Sequence, residues 1–174
     1  MFPNDVIKIA NSRRHQGDIA RKIKYTQLAQ GCWMKSFFQD FCDKIVTLDS
    51  TIRFAGIADE DGHLVATADR RGLKPILSPE ERAQYAITAA TRQYTRLRWE
   101  YLLGKVNYAM SHYAKIIRAT IPIADENSRL YFVLLLSFDV DKGDVHQIIM
   151  KKVIPLVRRN TAKFLKSRPP AARS

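Results

Sequence analysis

Three consecutive acidic side chains at a chain reversal are the residues of this sequence best suited to do chemistry. Asp59, Glu60 and Asp61 stand in the segment DEDGH between two apolar stretches. Carboxylates this close together can bind a divalent cation or divide acid and base roles between them. The pattern implies no ligand from another segment, and Gly62 can take the positive φ of a tight turn. It therefore favours solvent-facing turn formers over a metal site.

The histidines and cysteines are spread too widely to indicate a reactive cluster. The four histidines fall in four different predicted elements. His15 is in the N-terminal arm and His63 in the turn, while His112 is in a strand and His146 at the start of a helix. Cys32 and Cys42 are too far apart for a CxxC motif, and no second ligand pair accompanies them. The sequence also lacks a nucleophile elbow, a phosphate-binding loop and a dinucleotide-binding glycine pattern. We predict a non-enzymatic protein with no cofactor and no metal.

Charge is unevenly distributed along the 174 residues, whose formal net charge is +12. Residues 1–24 hold six basic and two acidic side chains, and residues 151–174 hold eight basic and no acidic ones. Residues 25–150 therefore hold 15 of each. This division favours a neutral body with two basic arms over a folded basic surface.

Basic arms can bind nucleic acid, anionic lipid or an acidic protein surface, or can simply be solvated ends. The candidate polyanion-binding residues are Arg13, Arg14, Arg158, Arg159, Lys163, Lys166 and Arg168. Three arginines of the central helix could also contribute to polyanion binding: Arg92, Arg96 and Arg98. Arginines in such positions more often form a solvated helix face. Phe164 is the only aromatic side chain in the C-terminal arm, which weakens the case for stacking on bases.

The apolar pattern predicts a helix, a hairpin and a second helix. Aromatic and apolar side chains recur at helical spacing from Lys24 to about Val46. IRFAGIA and LVATA flank DEDGH, and the first strand is apolar on both faces and hence central. Ser78 and Glu81 match a capping box that starts a helix at Pro79, and Gly104 ends it after Leu103. Its predicted buried stripe is Ala83, Ala86, Ile87, Ala90, Tyr94, Leu97 and Tyr101.

Three more strands and a last helix are predicted after Gly104. The strands are KVNYAMSHY, KIIRATIPI and RLYFVLLLSF, with ADENS as the turn between the last two. Pro122 falls near the end of its strand, where a missing donor does least harm. Asp144 caps the last helix, in which Pro155 should cause a kink or break near Lys151.

These elements predict an α+β domain in the order α-ββ-α-βββ-α, with a central five-stranded antiparallel sheet flanked by helices. We expect a basic helical N-terminal arm over residues 1–24, a single domain over 25–157 and a basic C-terminal extension over 158–174, disordered at its end. The longest apolar run, Leu130 to Leu136, is too short to span a membrane, and no signal-peptide pattern is present. We expect a cytoplasmic protein.

This order resembles the roadblock/dynein light chain and profilin-like architecture. Four segments are also similar to those of a small archaeal protein family of unknown function: STIRFAGIADEDGHLVA, RRGLKPILSPEE, AKIIRATIPI and IIMKKVIPLVRR. That resemblance covers most of the neutral body and brings no catalytic residues with it.

The roadblock resemblance implies a homodimer, formed by the central helix and an adjacent sheet edge, that acts as a platform for a small GTPase or a larger assembly. The small side chains of the helix make it the candidate contact, through Ala83, Ala86, Ile87, Ala90 and Tyr94. The sequence leaves two alternatives open. One is a PAS- or GAF-like small-ligand sensor domain, and the other is nucleic-acid or polyanion binding through the arms.

Overall fold

The computed structural model describes residues 36–167. From residue 38 onwards these belong to one compact unit, Phe38–Ser174. Helix α1 covers residues 36–47 of the described chain. The further elements are β1 (Ile52–Asp59), β2 (Leu64–Asp69), α2 (Pro79–Leu97), α3 (Glu100–Leu103), β3 (Ala109–His112), β4 (Ile117–Ala124), β5 (Leu130–Phe138), α4 (Val145–Ile148), a π-helical turn (Ile149–Val153) and α5 (Ile154–Lys166). The predicted N-terminal arm, the start of the first helix and the predicted disordered tail lie outside the described residues.

The five strands form one antiparallel sheet in the order β2-β1-β5-β4-β3. Leu135 at the centre of β5 pairs with Gly56 of β1 on one side and Thr120 of β4 on the other. The sheet confirms the predicted fold class and the central positions of β1 and β5. Pro122 lies beyond Thr120, the last β4 residue paired with β3, so its missing N–H falls where β4 has a neighbour on one side only.

Helix α2 covers one face of the sheet. Its predicted capping box is present: the Glu81 N–H donates to Ser78 Oγ (3.2 Å) and the Ser78 N–H donates to Glu81 Oε2 (2.7 Å). Three alanines of the helix pack against apolar side chains of β1 and β5, and the cluster comprises Phe54, Ala58, Ala86, Ala89, Ala90, Leu97, Leu130, Val133 and Leu135. Methyl groups at the contact let the helix backbone approach the sheet closely.

A cluster of four phenylalanines joins α1 and α5 to the sheet. The Phe164 ring of α5 lies 4.9 Å from Phe41 and 5.8 Å from Phe38 of α1, and 5.9 Å from Phe132 of β5, between ring centroids. Phe164 is fully buried. The predicted domain end at residue 157 was therefore wrong. Basic residues occupy the outer face of α5, and their number in the sequence led to the prediction of a solvated extension. The inner face of this helix belongs to the core.

The last helical segment changes its hydrogen-bonding period at the predicted position. A π-helical turn, Ile149–Val153, separates α4 from α5, and Pro155 stands in the first turn of α5. Proline has no N–H to donate to the Lys151 carbonyl, and its ring would clash with that carbonyl in an unbroken α-helix. The wider turn accommodates both effects.

The central helix is shorter than predicted. Instead of one helix from Pro79 to Leu103, α2 ends at Leu97 and α3 begins at Glu100. At the break, the Trp99 N–H donates to the Arg96 carbonyl three residues back (3.0 Å), which tightens and redirects the chain. Gly104 ends α3 with φ +82, and its N–H donates to the Glu100 carbonyl (3.0 Å), as predicted for the end of the helix.

A nearly buried carboxylate ties the end of β5 to β1 and to the segment after β2. Asp139 accepts from Arg53 (2.5 Å) and from both terminal nitrogens of Arg70 (3.0 Å each). Burial raises the pKa of Asp139, but the hydrogen bonds from Arg53 and Arg70 outweigh it, so that its net pKa is lowered.

Replacing Phe164 by alanine should lower the free energy of unfolding by roughly 3 to 5 kcal/mol, because a fully buried ring leaves a cavity among three others. Arg159→Ala, on the exposed face of the same helix, is the matched control and should change it by less than about 0.5 kcal/mol. Urea denaturation followed by circular dichroism measures both. Equal stability of the two variants would show that the core ends before α5.

Asp139→Asn should destabilise the protein by about 3 kcal/mol at neutral pH, since Arg53 and Arg70 lose their buried counter-charge. The folded pKa of Asp139 is lowered, so its stabilisation is complete above the unfolded pKa of about 3.9 and is lost as pH falls through the folded pKa. The difference between wild type and variant should therefore shrink in acid. Urea melts from pH 7 to pH 2 measure it, with exposed Asp141→Asn as control. A difference independent of pH would contradict this role.

Candidate interaction surface

The acidic hairpin tip is a turn that packs on α2. Asp59 Oδ1 accepts from the backbone N–H groups of Asp61 (3.1 Å) and His63 (2.8 Å). Gly62 has φ +89, and a Cβ there would lie 2.4 Å from the Ile87 Cα, so only glycine fits. Asp59, Asp61 and His63 have potential ligand atoms within 4.8 Å of one another, the only such group in residues 36–167. Both hydrogen bonds to Asp59 Oδ1 close the turn, as the sequence pattern favours.

The other histidines and the described cysteine lie apart from that turn. His112 ends β3, and His146 Nδ1 contacts the Tyr108 hydroxyl at 2.5 Å. Cys42 is fully buried on α1, and burial raises the pKa of its thiol to about 12, which keeps it protonated and unreactive. His15 and Cys32 lie outside the described residues.

Of the five contact residues predicted on the central helix, two are buried and three are exposed. Ala86 and Ala90 are buried against the sheet, so their methyl groups are not available to a second protein, and this part of the prediction was wrong. Ala83, Ile87 and Tyr94 are exposed. Small side chains on α2 serve the close approach of the helix to its own sheet.

Large apolar side chains are exposed in one part of the described chain, residues 76–113. Seven of them lie on α2, α3, β3 and the residue before α3, and we refer to these seven exposed side chains together as the apolar surface: Ile87, Tyr94, Trp99, Tyr101, Leu102, Leu103 and Met110. Those of α3 are the most exposed, at 83% for Tyr101 and 77% for Leu103. The predicted burial was wrong for Ala83, Ile87 and Tyr94, which lie on the exposed side of α2, and for Tyr101, which the break after Leu97 separates from that helix. Ile76 and Tyr113 complete the exposed set.

Glu100 fixes α3 and the segment that leads to β3. Its carboxylate accepts from the Val106 N–H (2.8 Å), the Ser128 hydroxyl (2.5 Å) and Lys105 Nζ (3.0 Å). Burial raises the pKa of Glu100, while these hydrogen bonds lower it further than burial raises it. The sequence alone did not indicate this role of Glu100, because a glutamate in a helix is usually a solvated side chain.

The two edges of the sheet differ. At the β2 edge, α1 side chains donate to strand carbonyls, from Gln39 Nε2 to Thr67 (3.0 Å) and from Cys42 Sγ to Ala66 (3.7 Å). At the β3 edge, the described residues offer no such hydrogen bond to the outer side of Ala109–His112. An edge strand left open in this way can pair with another strand.

The basic residues predicted to bind polyanions are only partly described. Arg158, Arg159, Lys163 and Lys166 are exposed on α5, and Arg158 also donates to Asn107 Oδ1 (3.1 Å). On α2, Arg96 donates to Gln93 Oε1 (3.0 Å). Arg13, Arg14 and Arg168 lie outside the described residues, so polyanion binding stays a prediction.

Within the described residues, no helix has the length and apolar character needed to cross a bilayer. No family model matches the sequence, and no curated protein matches it.

Solved structures share the fold. A Roadblock/LC7 domain from Streptomyces avermitilis matches with a TM-score of 0.54 and 10% identity, over 72% of this chain and 95% of that one. MglB from Myxococcus xanthus matches with a TM-score of 0.57 and 14% identity, over 79% and 94%. MglB in a tetrameric arrangement gives 0.54 and 14%, over 72% and 88%. The chain therefore has the Roadblock/LC7 fold. Sequence identities of 10 to 14% establish a shared fold and not a shared function.

Glu100→Ala should lower the free energy of unfolding by about 2 kcal/mol, because the Val106 N–H and the Ser128 hydroxyl lose their acceptor. Amide hydrogen exchange should accelerate most at Leu102 and Leu103. Glu126→Ala, which removes an exposed carboxylate from the neighbouring turn, is the control and should have little effect. Unchanged exchange in α3 of Glu100→Ala would contradict its positioning role.

Proposed function

We propose that this protein is a roadblock-like, non-enzymatic interaction module that forms a homodimer through the β3 edge and the apolar surface, and serves as a docking platform for another protein. The observation that carries the proposal is the confinement of the exposed large apolar side chains to the part of the chain that contains α2, α3 and β3. Soluble monomers rarely expose large contiguous apolar patches, and those that exist commonly mark interaction sites.

A second copy of this chain fits such a surface for a geometric reason. Two β3 strands related by a two-fold axis run antiparallel, so each can satisfy the open backbone groups of the other. The pairing would join two five-stranded sheets into one of ten strands. The same axis would bring the exposed Met110 of each protomer, on β3, close to the paired strand of its partner.

Charge does not oppose this pairing. The net charge of +12 resides in the terminal segments, whereas residues 25–150 hold equal numbers of basic and acidic side chains. The described residues 36–167, which include α5, hold 20 basic and 15 acidic side chains, and this excess of five positive charges is small enough for two copies to approach. MglB, which shares the fold, also occurs in a tetrameric arrangement.

Binding accounts for the charged groups better than catalysis does. Asp59 holds the hairpin turn, Glu100 positions α3, and Asp139 pairs with Arg53 and Arg70. Each carboxylate is thus occupied in a structural role. The resemblance to roadblock proteins suggests a small GTPase or a larger assembly as the bound partner.

Leu103→Glu should weaken the dimer by about tenfold or more, since a leucine contributes roughly 1.5 to 3 kcal/mol when buried. Sedimentation equilibrium of the full chain over a concentration series measures the dissociation constant. The stability of the protomer should stay within about 0.5 kcal/mol of wild type, because Leu103 is 77% exposed.

The matched control is Ala162→Glu, which adds one negative charge to an exposed position of α5. It should leave the dimer unchanged. A wild-type protein that remains monomeric at high concentration, or equal weakening by both substitutions, would overturn the proposed interface.

A further inference from the structure

An apolar groove lies between the first half of α2, the segment before it and the turn from β3 to β4. Its volume is ≈ 650 Å³, and its apolar walls include Ile76, Leu77, Tyr85, Tyr113 and Ile116. Arg118 of β4 also lines it. The groove thus combines an apolar cleft with one buried cation, the composition typical of small-molecule sites.

Arg118 is buried without a counter-charge. The residue is 7% exposed, and within residues 36–167 its Nε has no hydrogen-bond acceptor. Among residues 36–167, no carboxylate forms an ion pair with it. This sets it apart from Asp139, whose burial is compensated by two arginines. Burial lowers the pKa of Arg118, a sign that its charge lacks compensation.

The Tyr85 ring holds the guanidinium by its face. Arg118 Cζ lies 3.2 Å from the ring centroid, a cation–π contact. Stacking occupies the flat face of the guanidinium and leaves its in-plane N–H groups directed sideways, where a carboxylate can accept two of them.

The neighbouring charges favour an anion. Glu81 lines the groove, but its carboxylate accepts from the Ser78 N–H at the start of α2. Asp69 is paired with both terminal nitrogens of Arg82 (2.8 and 2.9 Å). A small hollow on the other side of Arg118 is lined by two more arginines and no acid: Arg92 and Arg96.

We propose that this groove binds a small organic carboxylate, whose acid group accepts from Arg118 and whose apolar part lies between Tyr113 and Ile116. The ligand would supply the counter-charge that the described residues lack, and the apolar walls would exclude inorganic anions in favour of acids with a hydrocarbon body. The site does not depend on the dimer, because Arg118 and Tyr85 belong to the same protomer.

The test is isothermal titration of the full-length protein with benzoate as the probe. Benzoate should bind, whereas benzamide, its neutral isostere, and inorganic phosphate, an anion without an apolar body, should bind at least about tenfold more weakly. Arg118→Met should reduce benzoate binding by a similar factor. Arg159→Met, at an exposed arginine of α5 that does not line the groove, is the matched control and should change it by less than about twofold.

Amide chemical shifts of the wild-type protein provide a readout that needs no variant. Benzoate should shift the signals of Tyr85, Tyr113 and Ile116 and leave α5 unchanged. Equal binding of benzoate and benzamide, or full binding to Arg118→Met, would overturn the proposal. The proposal would also be overturned if Arg118→Met dissociated to monomers and the wild-type protein did not bind benzoate. Arg118 would then face a carboxylate of the second copy. A dimer that persists in Arg118→Met while benzoate binding is lost would support the ligand site and leave the proposed dimer intact.

Discussion

The structure depends on covering both faces of β5. Apart from Tyr131, every residue from Leu130 to Phe138 is buried, so this strand needs an apolar layer on each side. Alanines of α2 form one layer at close range, and the phenylalanine cluster of α1 and α5 forms the other. A helix whose buried stripe is made largely of methyl groups uses little of its circumference on the sheet. Its larger apolar side chains, such as Ile87 and Tyr94, are consequently left outside the core.

That arrangement also distinguishes the two sheet edges. α1 covers part of the β2 edge while it contributes Phe38 and Phe41 to the core. The β3 edge has no corresponding cover among the described residues, and the chain reaches it through α3, which Glu100 holds in place. An open strand edge and exposed apolar side chains thus arise in the same part of the chain. Arg118 adds a buried positive charge beneath the first half of α2, on the strand next to β3.

The sequence predicted the features that local pattern determines. Two-sided apolar strands placed β1 and β5 inside the sheet, the Ser78 capping box started α2, and Pro155 marked the irregular turn. Contacts distant in sequence were harder to predict. Tyr101 continues the helical spacing of α2, so nothing local revealed the break at Trp99. Phe164 was obscured by its basic neighbours, and the burial of Arg118 follows from the position of Tyr85 above it.

We propose that two copies pair through β3 of the Roadblock/LC7 fold. The most direct measurement is an isotope-filtered nuclear Overhauser experiment on an equal mixture of labelled and unlabelled full-length protein. Pairing through β3 predicts intermolecular contacts between backbone protons of Ala109–His112 in the two copies, because antiparallel strands bring opposing Cα atoms to about 4.5 to 5.5 Å. Intermolecular contacts confined to other elements, or none in concentrated protein, would contradict it.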